Sequence, residues 1–138
     1  MAYLSVIKDS SSNDILAYHV SDRITLDIAT TAIYKLISLH KDAFIHSDQG
    51  FHYTSPKFQK LLRENNLGQS MSRRGNCWDN AQQESLFGHM KDEVNFKSYF
   101  TLEDVINKVD DYYNNHRCQW VLKKMTPKQF RNHLLDVA

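Results

Sequence analysis

Two short runs rich in apolar, β-branched and aromatic residues, Tyr3 to Lys8 and Ile15 to Val20, flank the turn-forming stretch Ser10-Ser11-Ser12-Asn13-Asp14. Such a pattern gives a β-hairpin. A helix-period stripe follows at once: Thr25 can cap a helix in which Ile28, Ala32 and Leu36 interleave with Ala29, Ile33 and Ile37, ending near His40. Ala43-Phe44-Ile45-His46 is too short for a helix and runs into Ser47-Asp48-Gln49-Gly50, so a buried strand is expected there, with Asp48 just past its end. Ser55-Pro56 is a cap followed by proline in the first turn, opening a helix through Phe58, Leu61 and Leu62 that Gly68 is expected to close. A short strand, Gln69 to Ser72, comes next, then a loop at Arg73-Arg74-Gly75-Asn76-Cys77-Trp78 and a helix capped by Asp79 or Asn80 and running through Glu84, Leu86, Phe87, Met90 and Val94. Thr101-Leu102-Glu103-Asp104 opens another helix, and Thr126-Pro127-Lys128-Gln129 is a capping box for the last. Strands alternating with helices and then helices alone predict one α/β layered domain over 1–138, with an α/β core at about 3–94 and a helical tail at 100–135.

Several classes are excluded early. With 138 residues, 41% hydrophobic and 24% charged, the chain can bury a core, so disorder does not fit. Its apolar runs are far shorter than the ~20 residues of a membrane span, and Met1 to Ile7 lacks the features of a signal peptide, so no membrane partner and a cytoplasmic location are expected. Cys77 and Cys118 have no C-x-x-C partner and are expected to be reduced thiols. Net charge is only +1, but it is unevenly distributed. Lys57, Lys60, Arg63, Arg73 and Arg74 face one acid, Glu64, and Arg117, Lys123, Lys124, Lys128 and Arg131 lie in a segment without acids. Solvated helix faces account for such clusters unless phosphate chemistry lies nearby.

Asp48 and Glu84 are the candidates for that chemistry, with thirty-five residues between them. Carboxylates are hard oxygen ligands suited to Mg²⁺, and two ions ~4 Å apart can activate a nucleophile and stabilise a leaving oxygen in phosphodiester displacement. On spacing alone, an Asx-turn at Asp48 and an exposed helix position for Glu84 are the better account.

The wording around the two acids narrows the choice. His46-Ser47-Asp48-Gln49-Gly50, the run from Ser70 to Ala81, Glu84-Ser85-Leu86-Phe87, Tyr112-Tyr113-Asn114-Asn115-His116-Arg117, Met125-Thr126-Pro127 and Gln129-Phe130-Arg131 closely resemble the integrase-like core of bacterial insertion-sequence transposases. The resemblance extends from Tyr3 to Leu134. It implies an RNase H-like fold, a mixed sheet flanked by helices, and a D, D, (35) E site for Mg²⁺- or Mn²⁺-dependent DNA strand cleavage and transfer. Asp48 stands where the family has its second Asp and Glu84 where it has its Glu, both as catalytic residues and metal ligands. Lys91, two turns after Glu84 and ~20° from alignment with it, suits a phosphate-gripping role on the same helix face. Arg73, Arg74 and Asn80 are the other DNA-binding candidates. The implied partners are transposon ends, target DNA and other transposase subunits.

One departure stands out. The family carries its first Asp on a central first strand, upstream of the segment that Tyr3 to Asp9 resembles, and no residue here occupies that position. Asp9 matches an acid at the end of the second strand instead. The resemblance therefore implies an N-terminally truncated core, inactive alone, with two inner strand edges facing a gap; a non-catalytic DNA-binding or subunit-association module is the alternative. His46 and His52 flank Asp48, but their spacing fits no common metal pair. Trp78, Phe51 and Tyr53 are candidates for stacking on bases, or for the core.

Overall fold

The computed structural model describes residues 3–36, 43–73, 81–93 and 101–138. The hairpin forms where the sequence places it: β1 (Tyr3–Lys8) pairs antiparallel with β2 (Ile15–Ser21). The turn is closed by the Asp9 carboxylate, which accepts hydrogen bonds from the Ser11 N–H (3.0 Å) and from the hydroxyls of Ser11 and Ser12 (2.7 Å each). Register shifts by one at the end of the ladder, where Ile7 faces Ala17 but Lys8 faces Ile15. Leu16 is thus the extra residue of a β-bulge, and Leu16 and Ala17 both join the cluster on one side of the hairpin.

That cluster is built by two helices. α1 (Leu26–Lys35) buries Ala29, Ala32 and Ile33 and starts at Thr25, whose side chain makes no capping bond. After the single turn α2 (Phe51–Thr54), α3 (Pro56–Glu64) contributes Phe58, Leu61 and Leu62 and sends Lys57, Lys60, Arg63 and Glu64 outward. Ser55 Oγ accepts from the Phe58 N–H at 3.2 Å, so serine and proline act as their positions dictate. Gly68 does not close this helix. The chain turns at Asn65 and at Asn66, which takes φ 54°, a conformation asparagine tolerates better than most residues.

Gly68 instead begins β4 (Gly68–Met71), which runs parallel to β3 (Phe44–Ser47). The expectation of a buried β3 fails: Phe44 is 75% exposed and His46 is exposed, while Ser47 is buried. Side chains alternate across the strand, so Ile45 and Ser47 lie on the face turned to the first cluster and Phe44 and His46 on the exposed one. Among the described residues β4 pairs with one edge of β3 and no strand pairs with the other. The Phe44 ring lies over Gly68, where a Cβ would come within 2.5 Å of it. The four strands therefore form two pairs, one antiparallel and one parallel, rather than one continuous mixed sheet.

The other side of the hairpin is covered by α4 (Ala81–Glu93) and α5 (Leu102–Asp111), whose Leu86, Met90, Val105 and Val109 pack with Ile15 and Tyr113 against Leu4, Val6 and Tyr18. Alternation along β1 explains the layering, since Ile7 faces the first cluster while Leu4 and Val6 face the second. Helix, hairpin and helix make an α/β/α sandwich of the RNase H-like kind. Thr101 Oγ1 accepts from the Asp104 N–H, capping α5. Beyond α5 the chain widens into a π turn (Tyr112–His116), makes a 3₁₀ turn (Trp120–Leu122), and ends in α6 (Pro127–Asp136), with the Thr126/Gln129 capping box in place. Among the described residues no helix is long and apolar enough to cross a membrane.

Candidate functional site

Asp48 follows β3 directly and is exposed. The strand end beneath it is pinned to the residue after β4: the Ser72 N–H donates to the Ser47 carbonyl at 2.8 Å, and Gln49 Nε2 donates to the Ser72 carbonyl at 3.2 Å. Asp48 Oδ1 accepts the Gly50 N–H at 2.8 Å, the Asx-turn that a loop Asp commonly makes. A Cβ on residue 50 would sit 2.8 Å from that oxygen, so glycine leaves the carboxylate where it is. The negative charge reaches Tyr53, whose hydroxyl is pushed above its ordinary pKa by burial and then by Asp48, against a hydrogen bond with Ser5 of β1.

Glu84 lies in the first turn of α4, and Lys91 in its last; both are exposed. The helix is held by Leu86 and Met90 beneath it, and its start is tied to β1, where Lys8 Nζ donates to the Gln82 carbonyl at 3.3 Å. Burial lowers the pKa of Lys8. The Glu84 turn is thus attached to β1 at Lys8, while the Asp48 loop is held by Ser72 after β4. Among the described residues neither carboxylate has a cationic partner, and none of them forms a group of three or more His, Cys, Asp or Glu able to hold a metal. Two exposed, unneutralised carboxylates fit a hard divalent cation by donor chemistry and leave a third ligand to be supplied.

The remaining candidates divide. Arg73 is exposed just after β4, whereas Arg74, Cys77, Trp78 and Asn80 lie outside the described residues. Phe51 is 67% exposed with its ring tilted against His52 at 4.2 Å, but Tyr53 packs edge-on against Phe58 at 5.5 Å and belongs to the core. His46 Nδ1 meets Ser70 Oγ at 3.1 Å across the parallel ladder. Asp9 is occupied in its turn: burial raises its pKa, but the Ser12 and Ser11 bonds outweigh burial and hold the carboxyl below the ordinary range.

A second polar cluster was not anticipated from the sequence. Asn114, buried in the π turn, accepts the Ile15 N–H at 2.8 Å and donates to the Ile15 carbonyl at 3.0 Å, behaving like one residue of a neighbouring strand. Its amide also donates to Asp110 at 2.9 Å, and Arg131 of α6 pairs with Asp14 at 3.3 Å. These residues, with Lys35 and Lys128, line a polar cleft of about 310 Å³ that includes neither Asp48 nor Glu84. Burial and the neighbouring charges of Asp14 and Asp111 push Asp110 up to about 6. An Asn four residues after an Asp at a helix end was the available signal, and it is a weak one.

A hairpin sandwiched between helices, beside a parallel pair ending in an exposed acid, defines the class of RNase H-like cores. The Integrase core domain family matches residues 1–77, and a second family model of the same description matches residues 84–135. The chain belongs to the integrase core domain family. It is 35% identical over 137 residues to the putative transposase InsK for insertion sequence element IS150 of Escherichia coli (strain K12), covering 94% of this chain and 48% of that protein. It is 37% identical over 140 residues to an uncharacterized transposase-like protein of Haemophilus influenzae, covering 97% and 65%. The chain thus spans about half to two-thirds of the length of these relatives. Among solved structures, the catalytic core domain of BIV integrase superposes with TM-score 0.79 at 17% identity, covering 97% of this chain and 88% of that one. The HTLV-2 integrase catalytic core domain in complex with magnesium gives 0.69 at 19%, covering 92% and 81%. At these identities the likeness shows the fold.

Proposed function

We propose that the chain is the catalytic-core portion of an insertion-sequence transposase that cleaves and joins DNA strands, and that residues 1–138 supply two of its three metal-binding carboxylates, Asp48 and Glu84. The observation that carries this reading is the integrase-core match over residues 1–77, within which Asp48 is an exposed acid at the end of a pinned strand with no cation to neutralise it among the described residues. Divalent ions such as Mg²⁺ or Mn²⁺, when bound, would supply Lewis-acid stabilisation of charge on the phosphate oxygens; a magnesium complex of a structural neighbour is consistent with this choice. The chain's own part is positional. The Gly50 N–H holds one Asp48 oxygen in the Asx-turn and so fixes the carboxylate plane. Glu84 is carried on a helix anchored by Leu86 and Met90, and Lys91, on nearly the same face, presents an ammonium for a DNA phosphate.

The third carboxylate is proposed to come from an Asp on a strand that pairs between β1 and β3. Each of these strands is covered on one edge among the described residues, and Ile7 and Ile45 pack on the same cluster, which brings both pairs to one core. The same open edges favour the second reading, a non-catalytic module that binds DNA or another transposase subunit. Strand cleavage and joining on a labelled transposon end separates the two. Residues 1–138 alone should neither nick nor join DNA in Mg²⁺, an extension supplying the Asp-bearing strand should do both, and the same extension with Ala for that Asp should regain thermal stability only. An extended chain that melts higher but stays inert would favour the binding module.

A further inference from the structure

Between the π turn and α6 the chain projects a short knob. Its base is rigid: Gln119 pairs with Met125 through an isolated antiparallel bridge, the Lys124 N–H donates to the Gln119 carbonyl at 3.0 Å, and Asn13 Nδ2 reaches across from the hairpin to Gln119 Oε1 at 3.0 Å. Leu122 plugs the knob into the protein at 3% exposure, yet Trp120 and Val121 just before it stand 83% and 79% exposed. Tryptophan is a residue that folding normally covers. Lys124 Nζ lies 4.6 Å over the indole centroid, closing one face of the ring and leaving the other to solvent. Lys123 and Lys124 both take left-handed backbone conformations, φ 55° and 64°, which glycine would adopt without strain. The sequence nevertheless carries two long cations there. Neither has an acidic partner among the described residues, and no Asp or Glu occurs from Tyr112 to Leu135.

We propose that this knob is a platform for an unpaired nucleotide at a DNA strand end, with the open face of Trp120 stacking on the base and Lys123 and Lys124 neutralising the adjoining phosphates. Two lysines without acidic partners select a polyanion, and an erect, half-covered indole selects a flat aromatic ligand; an unpaired nucleotide joins both properties. Paired bases inside a duplex offer no face to an indole, so the ligand is a single-stranded tail rather than a fully paired duplex. The choice of DNA rests on the function proposed above, whereas the stacking geometry does not.

The test measures binding of the full chain to two fluorescent oligonucleotides of equal charge, a blunt duplex and a duplex with a short single-stranded tail, by anisotropy. Trp120→Ala should weaken binding to the tailed oligonucleotide about tenfold and leave the blunt one unchanged, and Trp120→Phe should recover most of the loss. Lys123→Ala with Lys124→Ala should weaken both and flatten the salt dependence by about two charges' worth. Circular dichroism on each variant guards against misfolding. Equal losses on both oligonucleotides, no loss on either, or a Trp120→Ala change in oligomeric state without a change in DNA affinity would each overturn the proposal. Asp48→Ala and Glu84→Ala keep the two proposals apart, because they should abolish strand cleavage by a complete core while leaving tail binding intact.

Discussion

Replacing Asn114 by alanine should unfold the tail from the hairpin at a cost that can be worked from three bonds. The amide accepts the Ile15 N–H at 2.8 Å and donates to the Ile15 carbonyl at 3.0 Å and to Asp110 at 2.9 Å, with Ile15 and Asn114 each 7% exposed. Truncation strands two buried backbone groups that no neighbouring strand among the described residues satisfies, at ~1–3 kcal/mol each, and removes a donor from a carboxylate already short of solvation. Allowing for some entry of water, the loss should be about 3 kcal/mol, a large share of the ~5–15 kcal/mol that holds a typical domain together. Asn114→Asp is the sharper variant. It keeps the acceptor for the Ile15 N–H, loses both donors, and sets a carboxylate against Asp110, so it should destabilise more at pH 7.5 than at pH 5. Urea unfolding at both pH values measures these quantities. A loss below about 0.5 kcal/mol for Asn114→Ala, or an Asn114→Asp penalty that does not grow with pH, would refute the view that this side chain substitutes for a strand.

Other perturbations follow from the same contacts. Asp110, pushed from 3.8 to about 6 by burial and by Asp14 and Asp111, takes up a proton on folding between those values, so its favourable contribution is present in acid and disappears as pH rises through about 6. Asp110→Asn should therefore stabilise the fold at pH 7.5 by ~1 kcal/mol, after discounting for partial exposure, and have little effect near pH 4, as melting curves at the two pH values would reveal. Gly68→Ala should lower the melting temperature by pushing the Phe44 ring aside, and Phe44→Ala should remove that effect; a penalty that persists in the double variant would place its origin elsewhere. Lys91→Ala should reduce the slope of log K against log salt for duplex DNA by about one unit, and an unchanged slope would make Lys91 an ordinary solvated residue.

Local chemistry was legible in the sequence because it is written in neighbouring residues. The Ser55-Pro56 start, the Thr126/Gln129 box and the hairpin turn each depend on a few adjacent positions, and all three form as read. Gly68 misled because glycine marks helix ends and tight approaches alike, and here it makes room for an aromatic ring from the next strand, a contact twenty-four residues distant. Phe44 misled for a related reason: an apolar residue in a short strand is read as buried, but burial depends on which face of the strand meets the core, and here Ile45 packs there while Phe44 points away. Asn114 could be matched as part of a motif, yet its purpose lies in a partner ninety-nine residues away. Of the site, Asp48 just past a strand end was readable from the short apolar run before it and Glu84 on a helix from the apolar period around it, whereas its place in the first turn of α4 and the supports beneath the two acids, Gln49 on Ser72 and Lys8 on Gln82, depend on residues far apart in sequence that no local pattern encodes.

The claim that Asp48 and Glu84 serve one divalent cation can be examined without any assay of activity. Mn²⁺ titrated into the isotopically labelled chain broadens amide resonances close to where it binds, and two segments are informative, residues 48–50 and residues 84–85. Both should broaden together at the same Mn²⁺ concentration, and Asp48→Asn should abolish the effect at both, since each carboxylate alone holds the ion too weakly. Broadening confined to one segment, or an effect around Glu84 that survives Asp48→Asn, would contradict the shared site.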